Sequence, residues 1–243
     1  MISRYRLAEI AALLGDPTRA GIVTSLWDGR ARPAGELARS AGVVPATASG
    51  HLARLVSGGV LRVEPRGRHR YFRLAGPEVA DAIETLARLL SPRAVSPAAN
   101  GAPEPIARAR MCYDHVAGRL GVTLADALRE HGHVEFAEDG GVVTPSGEAF
   151  FAKFGIDLSA SRQSRRVFCR PCIDWSERRA HLAGAVGAAM ASRLMELRWV
   201  ARKRDTRALT ITPIGWSNIE RTFGCSLHDH TVHARPPLRV VAG

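Results

Sequence analysis

Cys169 and Cys172, three apart in VFCRPCIDWSERRAH (167–181), are the residues of this chain with the plainest chemistry. A Cys-x-Pro-Cys pair can be half a zinc site, a thiol–disulfide centre, a thiol sensor, or two inert buried sulfurs. A thioredoxin-like centre needs the pair inside a βαβ fold, and the surrounding pattern is a different one. A closed zinc site needs four ligands. Cys112 and His115 stand three apart, on one face if their segment is helical, and can supply the other two.

An internal repeat brings these residues into register. HVAGRLGVTLADALREHGHV (115–134) and HLAGAVGAAMASRLMELRWV (181–200) agree at 8 of 20 positions. Downstream VTPSG (143–147) matches ITPIG (211–215), and FGIDL (154–158) matches FGCSL (223–227). Upstream CYD (112–114) matches CID (172–174), so Cys172 and Asp174 answer to Cys112 and Asp114, while Cys169 has no counterpart. The spacing implies two copies of a unit of about 50 residues, 112–158 and 172–227, packed about a pseudo-two-fold axis. Each copy reads as a long apolar helix, a hairpin, and a short helix opening at Thr-Pro.

On that axis Cys112, Asp114 and His115 face Cys172, Asp174 and His181, with Cys169 beside them. Thiolate plus imidazole suits a soft or borderline ion: Zn(II), Cd(II), Hg(II) or trivalent arsenic. Three other readings stay open: an organic effector pocket walled by Tyr113, Trp175 and Trp199, oxidation of the thiols, or cysteines buried as small apolar groups with Asp capping each helix. A further group, Cys225, His228, His230 and His233, lies in a polar tail and reads as adventitious or disordered.

The elements that must position these residues follow from the whole chain. Its 243 residues, 46% hydrophobic and 23% charged, allow one large or two small cores of an ordinary soluble protein. No signal-peptide pattern opens the sequence and no run reaches the ~18 apolar residues of a membrane span, so a cytoplasmic place with reduced cysteines and no membrane partner is expected. A net charge of +11 points to a polyanion, although 32 of the 34 basic residues are arginine and a compositional taste for arginine is the bland explanation. Residues 91–107, rich in Pro, Ala and Ser, read as a linker between a first body (1–90) and a second (108–227), with 228–243 as a tail.

The first body carries the sharper pattern. AGELARSAG gives a short helix, Gly42 a turn, and VPATASGHLARLVSGG a second helix with Leu52, Leu55 and Val56 on its buried stripe. VLRVEPRGRHRYFRL then alternates about a Pro-Arg-Gly tip and carries Arg62, Arg66, Arg68, His69, Arg70 and Arg73. A helix–turn–helix followed by such a hairpin is a winged helix, whose second helix enters the major groove while the wing grips phosphates. The fold class is therefore mainly α with small β-hairpins (α+β): an N-terminal winged helix, then two repeated helix–hairpin–helix units that are themselves winged-helix-like.

LGDPTRAGIVTSL, the Thr-x-Ser-x-His-Leu of the second helix and the Gly-Arg wing together resemble the ArsR/SmtB family of bacterial transcriptional regulators, over residues 1 to about 90. The resemblance implies a homodimer joined through the first helix and that at 77–90, binding a near-palindromic double-stranded operator and usually repressing. It places Thr47, Ser49 and His51 where the family reads bases or adjacent phosphates, with Arg54, Arg66, Arg68 and Arg70 on phosphates and His69 at the wing. Thr47 as a helix cap and His51 as a packing residue are the plain alternatives. Metal-sensing members often carry Cys-x-Cys on the first helix of the motif or Asp and His on the dimerising helix. Here the first place holds Arg32–Leu37 and the second offers Asp81 without a His, so thiol-based sensing has to use the second body. No nucleotide-binding glycine loop or Ser-His-Asp arrangement argues for an enzyme. The expected function is a repressor that releases its operator when the second body binds a metal, metalloid or small effector; the alternative is a thiol redox-sensing regulator, or an enzyme using Cys172.

Overall fold

The structure, a computed structural model, describes residues 4–89, 104–137, 140–163, 166–204 and 206–227. The first body runs α1 (Arg4–Leu14), α2 (Pro17–Ser25), β1 (Arg32–Pro33), α3 (Ala34–Ser40), α4 (Pro45–Ser57), β2 (Leu61–Arg66), β3 (His69–Leu74), α5 (Pro77–Leu89). Asp16 caps α2 by accepting from the Arg19 amide at 2.9 Å, and Pro17 sits at N1, where a missing N–H costs nothing. The buried Arg19 side chain donates to the carbonyls of Ala12 (2.7 Å) and Leu13 (2.5 Å), satisfying acceptors at the end of α1. Gly42, left-handed at φ 67°, makes the turn between α3 and α4. Ile22, Leu26, Leu37, Leu52, Leu55, Leu61, Phe72 and Leu74 form the core, with Val56 half-buried at its edge.

The small sheet has the order β1-β3-β2. Its register, Leu61↔Leu74 through Arg66↔His69, leaves Gly67 and Arg68 as a two-residue turn opened by Gly67 at φ 59°. The tip of the wing is therefore Gly67–Arg68, with Pro65 and Arg66 inside the strand.

The second body begins at α6 (Glu104–Arg108), so residues 104–107, read above as linker, are helical. Then follow β4 (Arg110–Cys112), β5 (His115–Ala117), α7 (Gly118–Glu130), β6 (Val134–Ala137), β7 (Gly140–Val143) and α8 (Pro145–Phe154). After α9 (Leu158–Gln163) the same order recurs in β8 (Arg170–Ile173), β9 (Ala180–Ala183), α10 (Gly184–Glu196), β10 (Val200–Arg202), β11 (Leu209–Ile211) and α11 (Pro213–Phe223). α8 and α11 open at their Thr-Pro pairs, Thr144 accepting from the Gly147 amide at 3.1 Å and Thr212 from Gly215 at 3.0 Å. The leading hairpins were not expected: residues 115–117 and 181–183 belong to strands, not to the long helices. Gly118 (φ 76°) and Gly184 (φ 80°) are left-handed, so each helix starts only there.

Packing is crosswise, with α7 against β9 and α10 against β5. Two glycines allow it. A Cβ on Gly121 would run into the Val116 carbonyl and come within 3.4 Å of the His181 Cβ; one on Gly187 would meet Leu182 and the His115 Cβ at 3.3 Å. The two bodies join through a small apolar layer of Trp27, Cys112, Ala117, Cys172 and Ala183. Tyr113, in the turn of the β4–β5 hairpin, is buried in the core of the first body, and its amide donates to the Trp27 carbonyl at 2.6 Å. Arg202 donates to the Asp28 carbonyl at 2.9 Å, and Arg170 pairs with Asp81 on α5. No described helix is long and apolar enough to cross a membrane.

Candidate functional site

Among the described residues two places carry chemistry, an arginine-rich surface on the first body and a buried Cys/His cluster in the second. On α4 the apolar positions Ala48, Leu52 and Leu55 face the core, which leaves Thr47, Ser49 and Arg54 exposed on the opposite side. Thr47 does not cap the helix: the N-cap is Val44, with no side-chain bond. Ser49 donates back to the Pro45 carbonyl at 2.9 Å. His51 is half-buried, with Nδ1 3.5 Å from Asp16 Oδ1, so its ring leans on the start of α2.

On the wing one carboxylate gathers three arginines. Glu64 lies 3.0 Å from Arg73, 3.4 Å from Arg66 and 3.5 Å from Arg62. The Arg73 hydrogen bond, chiefly, holds the Glu64 carboxyl below the usual range. Arg66 also lies over the Tyr71 ring and Arg70 over Phe72. Arg68, His69 and Arg70 are exposed, and Arg68 and Arg70 make no ion pair among the described residues. A groove of about 480 Å³ runs between α4 and the wing, bordered by Ser49, Ala53, Val56 and Arg70.

In the second body the hairpins bring four donors to one point. Cys112 pairs with His115 across β4–β5, and Cys172 pairs with His181 across β8–β9. Cys112 and His115 therefore meet as partners across a tight hairpin, not as neighbours on a helix face. One ligand atom from each of the four lies within 4.8 Å of the others. The two imidazoles stack with centroids 5.0 Å apart and Nε2 atoms 3.1 Å apart. Exposure is 0% for Cys172, 1% for His181, 3% for His115 and 7% for Cys112. The hydrogen bond from Cys172, then the charge on His115, hold the Cys112 thiol well below its ordinary range despite burial. Burial opposes charge on His115, but the Cys112 thiolate and Asp114 outweigh it and raise its pKa to about 10. Burial, and the neighbouring His115 charge, push His181 down.

The aspartates stand outside this cluster. Asp114 lies 3.3 Å from His115 Nδ1 and 2.6 Å from Arg166. Asp174 is buried and accepts from the Arg110 guanidinium (2.7 Å), the Gly118 amide (2.7 Å), the Ser176 hydroxyl (2.7 Å) and the amides of Ser176 (2.9 Å) and Glu177 (3.0 Å). Burial is outweighed by Arg110 and His181, and its pKa falls to about 2. Cys169 is elsewhere, in the main core against Gly141, its thiol pushed up to about 12 by burial. Tyr113, Trp175 and Trp199 have separate surroundings among the described residues: they lie in the first core, over Arg110, and against Phe154. Cys225 is half-buried at the core's edge, and His228, His230 and His233 fall outside the described residues. The sequence does not pick out Arg110; it offers Tyr113 as a pocket wall and not as a residue reaching the first core, and Gly118 only as the Gly118/Gly184 match inside the repeat.

A helix–turn–helix with an arginine wing, on a chain of net charge +11, defines a DNA-binding transcriptional regulator of the winged-helix class. The helix-turn-helix domain family model matches residues 14–64, from the end of α1 into the wing. The Bacillus subtilis (strain 168) protein named "Uncharacterized HTH-type transcriptional regulator YdfF" is 44% identical over 211 residues, 86% of this chain and 93% of that protein. The chain belongs to the HTH-type transcriptional regulators. A match of that length runs well into the second body.

Among solved structures, the homodimeric winged helix-turn-helix domain Mb0332 of Mycobacterium bovis, titled a possible ArsR-family regulator, is 28% identical (TM-score 0.33; 35% of this chain, 78% of that one). The cadmium sensor CMTR of Mycobacterium tuberculosis is 32% identical (TM-score 0.30; 34% of this chain, 85% of that one).

Proposed function

We propose that this regulator is an ArsR-type homodimeric repressor of the cytoplasm, and that it leaves its operator when the second body, a duplicated effector domain, binds a metal, metalloid or small effector. The observation that carries the operator half is the surface formed by Thr47, Ser49 and Arg54 on α4 and by Arg68, His69 and Arg70 on the wing. Thr47 and Ser49 stand at the start of α4, the end a recognition helix offers to base edges. Arg54 and the wing arginines then take phosphates, Arg66 sharing its charge with Glu64. His51 acts by holding α4 on α2, through Asp16, and touches DNA only at its edge. The dimer is supported by the apolar side chains that α1 and α5 leave exposed: Tyr5, Leu7, Ile10 and Leu86.

Duplication is supported by the matched order of elements and the matching Thr caps and glycines. Sensing is supported by the buried Cys/His cluster at the join of the two bodies. Thiol oxidation is the second reading, favoured by the closeness of Cys112 and Cys172.

The test is operator binding by the full-length protein across a salt series. Two protomers per site are expected, and log K falls steeply with log salt. Arg68→Ala with Arg70→Ala weakens binding to every sequence and lowers that slope by about 2, since each arginine neutralises one phosphate. A slope unchanged by the double variant removes these arginines from the interface.

A further inference from the structure

We propose that Cys112, His115, Cys172 and His181 hold one divalent cation of the Zn(II) class per protomer, in a closed four-coordinate N2S2 site. The observations are geometric. A tetrahedral zinc ion with sulfur at ~2.3 Å and nitrogen at ~2.0 Å sets its donors about 3.3–3.8 Å apart. The two Nε2 atoms are already 3.1 Å apart, and the four donors fall within 4.8 Å of one another, so closing on an ion asks for side-chain adjustments only. Each hairpin presents one Cys and one His at directly paired positions, so the ligand set is fixed by strand register.

Outer partners complete the arrangement. A ligating histidine usually turns its second nitrogen toward a carboxylate or carbonyl. His115 Nδ1 faces Asp114 at 3.3 Å, and His181 Nδ1 faces Asp174 at 3.8 Å, which directs both Nε2 atoms to the centre. The aspartates are orienting groups, not ligands.

Charge and softness choose the ion. Two thiolates and two neutral imidazoles balance a divalent cation, so the buried site carries no net charge. A mixed set of two sulfurs and two nitrogens suits Zn(II) and Cd(II). Trivalent arsenic prefers three thiolates, and the third nearby cysteine, Cys169, packs in the core instead. Four protein ligands and near-complete burial leave no open position for substrate, the mark of a structural or regulatory site.

This assignment deepens the effector reading above and rests on it for the consequence at the operator; the site itself rests on the four donors. Both ligands of the first hairpin flank Tyr113, which is part of the first body's core. An ion that pulls the hairpins together therefore acts directly on the Trp27 segment.

The experiment is a titration of the full-length, metal-stripped protein, kept reduced with a phosphine, using Co(II) as probe and Zn(II) as competitor. One Co(II) per protomer is expected, with the intense visible bands of a tetrahedral ion, thiolate-to-cobalt charge transfer, and displacement by one Zn(II). Cys112→Ser with Cys172→Ser abolishes the charge-transfer band. His181→Cys keeps a four-coordinate site and strengthens that band, so the assignment can be tested even if the serine variants fold poorly. Cys225→Ser leaves binding unchanged. The proposal is overturned by a folded, reduced wild type that takes up no ion, by a weak octahedral spectrum, by binding indifferent to the ligand variants, or by a Cys112–Cys172 disulfide with no uptake after reduction. Operator binding on the same samples separates the two readings. Ion uptake by a protein whose metal-stripped form does not bind the operator sinks the repressor and keeps the site; operator binding by the metal-stripped form with no uptake on titration does the reverse.

Discussion

Asp174 shows how one side chain can organise a site without joining it. Its two oxygens accept five hydrogen bonds, close the loop of the β8–β9 hairpin, and tie that hairpin to Arg110 and to the start of α7. Removing one member of a buried ion pair leaves the other uncompensated. Asp174→Asn is therefore expected to cost about 3–5 kcal/mol in urea-melt stability. The pH dependence has a definite sign. The folded pKa of about 2 lies below the ordinary 3.8, so the stabilisation is complete above about pH 4 and drains away as pH falls toward 2. The Asn variant should lose that part of the acid slope, and melts at a series of acidic pH values check it. Sequence matching equated Asp114 with Asp174 and made both candidate ligands. It could not tell a ligand from an orienting group, because that depends on which imidazole nitrogen faces which neighbour.

At the scale of elements, the helix–turn–helix and wing were readable because every local signal agrees: Asp16-Pro17, Gly42, the apolar stripe of α4, and Gly67 at the wing turn. The second body was readable in part. Thr-Pro announced α8 and α11, whereas the leading hairpins were hidden in apolar stretches that fit a helix equally well. Gly118 and Gly184 held the clue, since a glycine inside an apolar run can mark a left-handed turn as well as close packing. Gly121 and Gly187 hold the crossed helices onto the hairpins. A methyl at either meets backbone, so Gly121→Ala and Gly187→Ala should each cost about 1–3 kcal/mol, read by thermal or urea unfolding. Gly121→Ala displaces Val116, next to His115, and Gly187→Ala displaces Leu182, next to His181, so both should weaken Co(II) binding. A variant that melts earlier yet binds Co(II) normally would uncouple this packing from the cluster.

At the scale of the molecule, the cluster lies where the two bodies meet. Trp27 of the first body packs with Cys112 and Cys172 of the second, Tyr113 crosses into the first core, and Arg170 reaches Asp81 on α5. Tyr113 is left-handed at φ 58°, a backbone state that non-glycine residues occupy only when their surroundings impose it. On the proposed reading, the turn between Cys112 and His115 passes a change in the hairpins to the Trp27 segment and to α5, the helix proposed for the dimer. An effector shifts operator affinity only by its unequal binding to the two states. The central claim is that ion binding at Cys112, His115, Cys172 and His181 sets operator affinity, and the most direct measurement is the operator Kd of the reduced protein at fixed salt, with one equivalent of Zn(II) and with a chelator. The zinc-loaded wild type should bind about tenfold or more weakly, within the usual range of coupling between sites, and His181→Gln should erase the difference. Equal Kd values with and without zinc in the wild type, at full zinc occupancy, would contradict the claim.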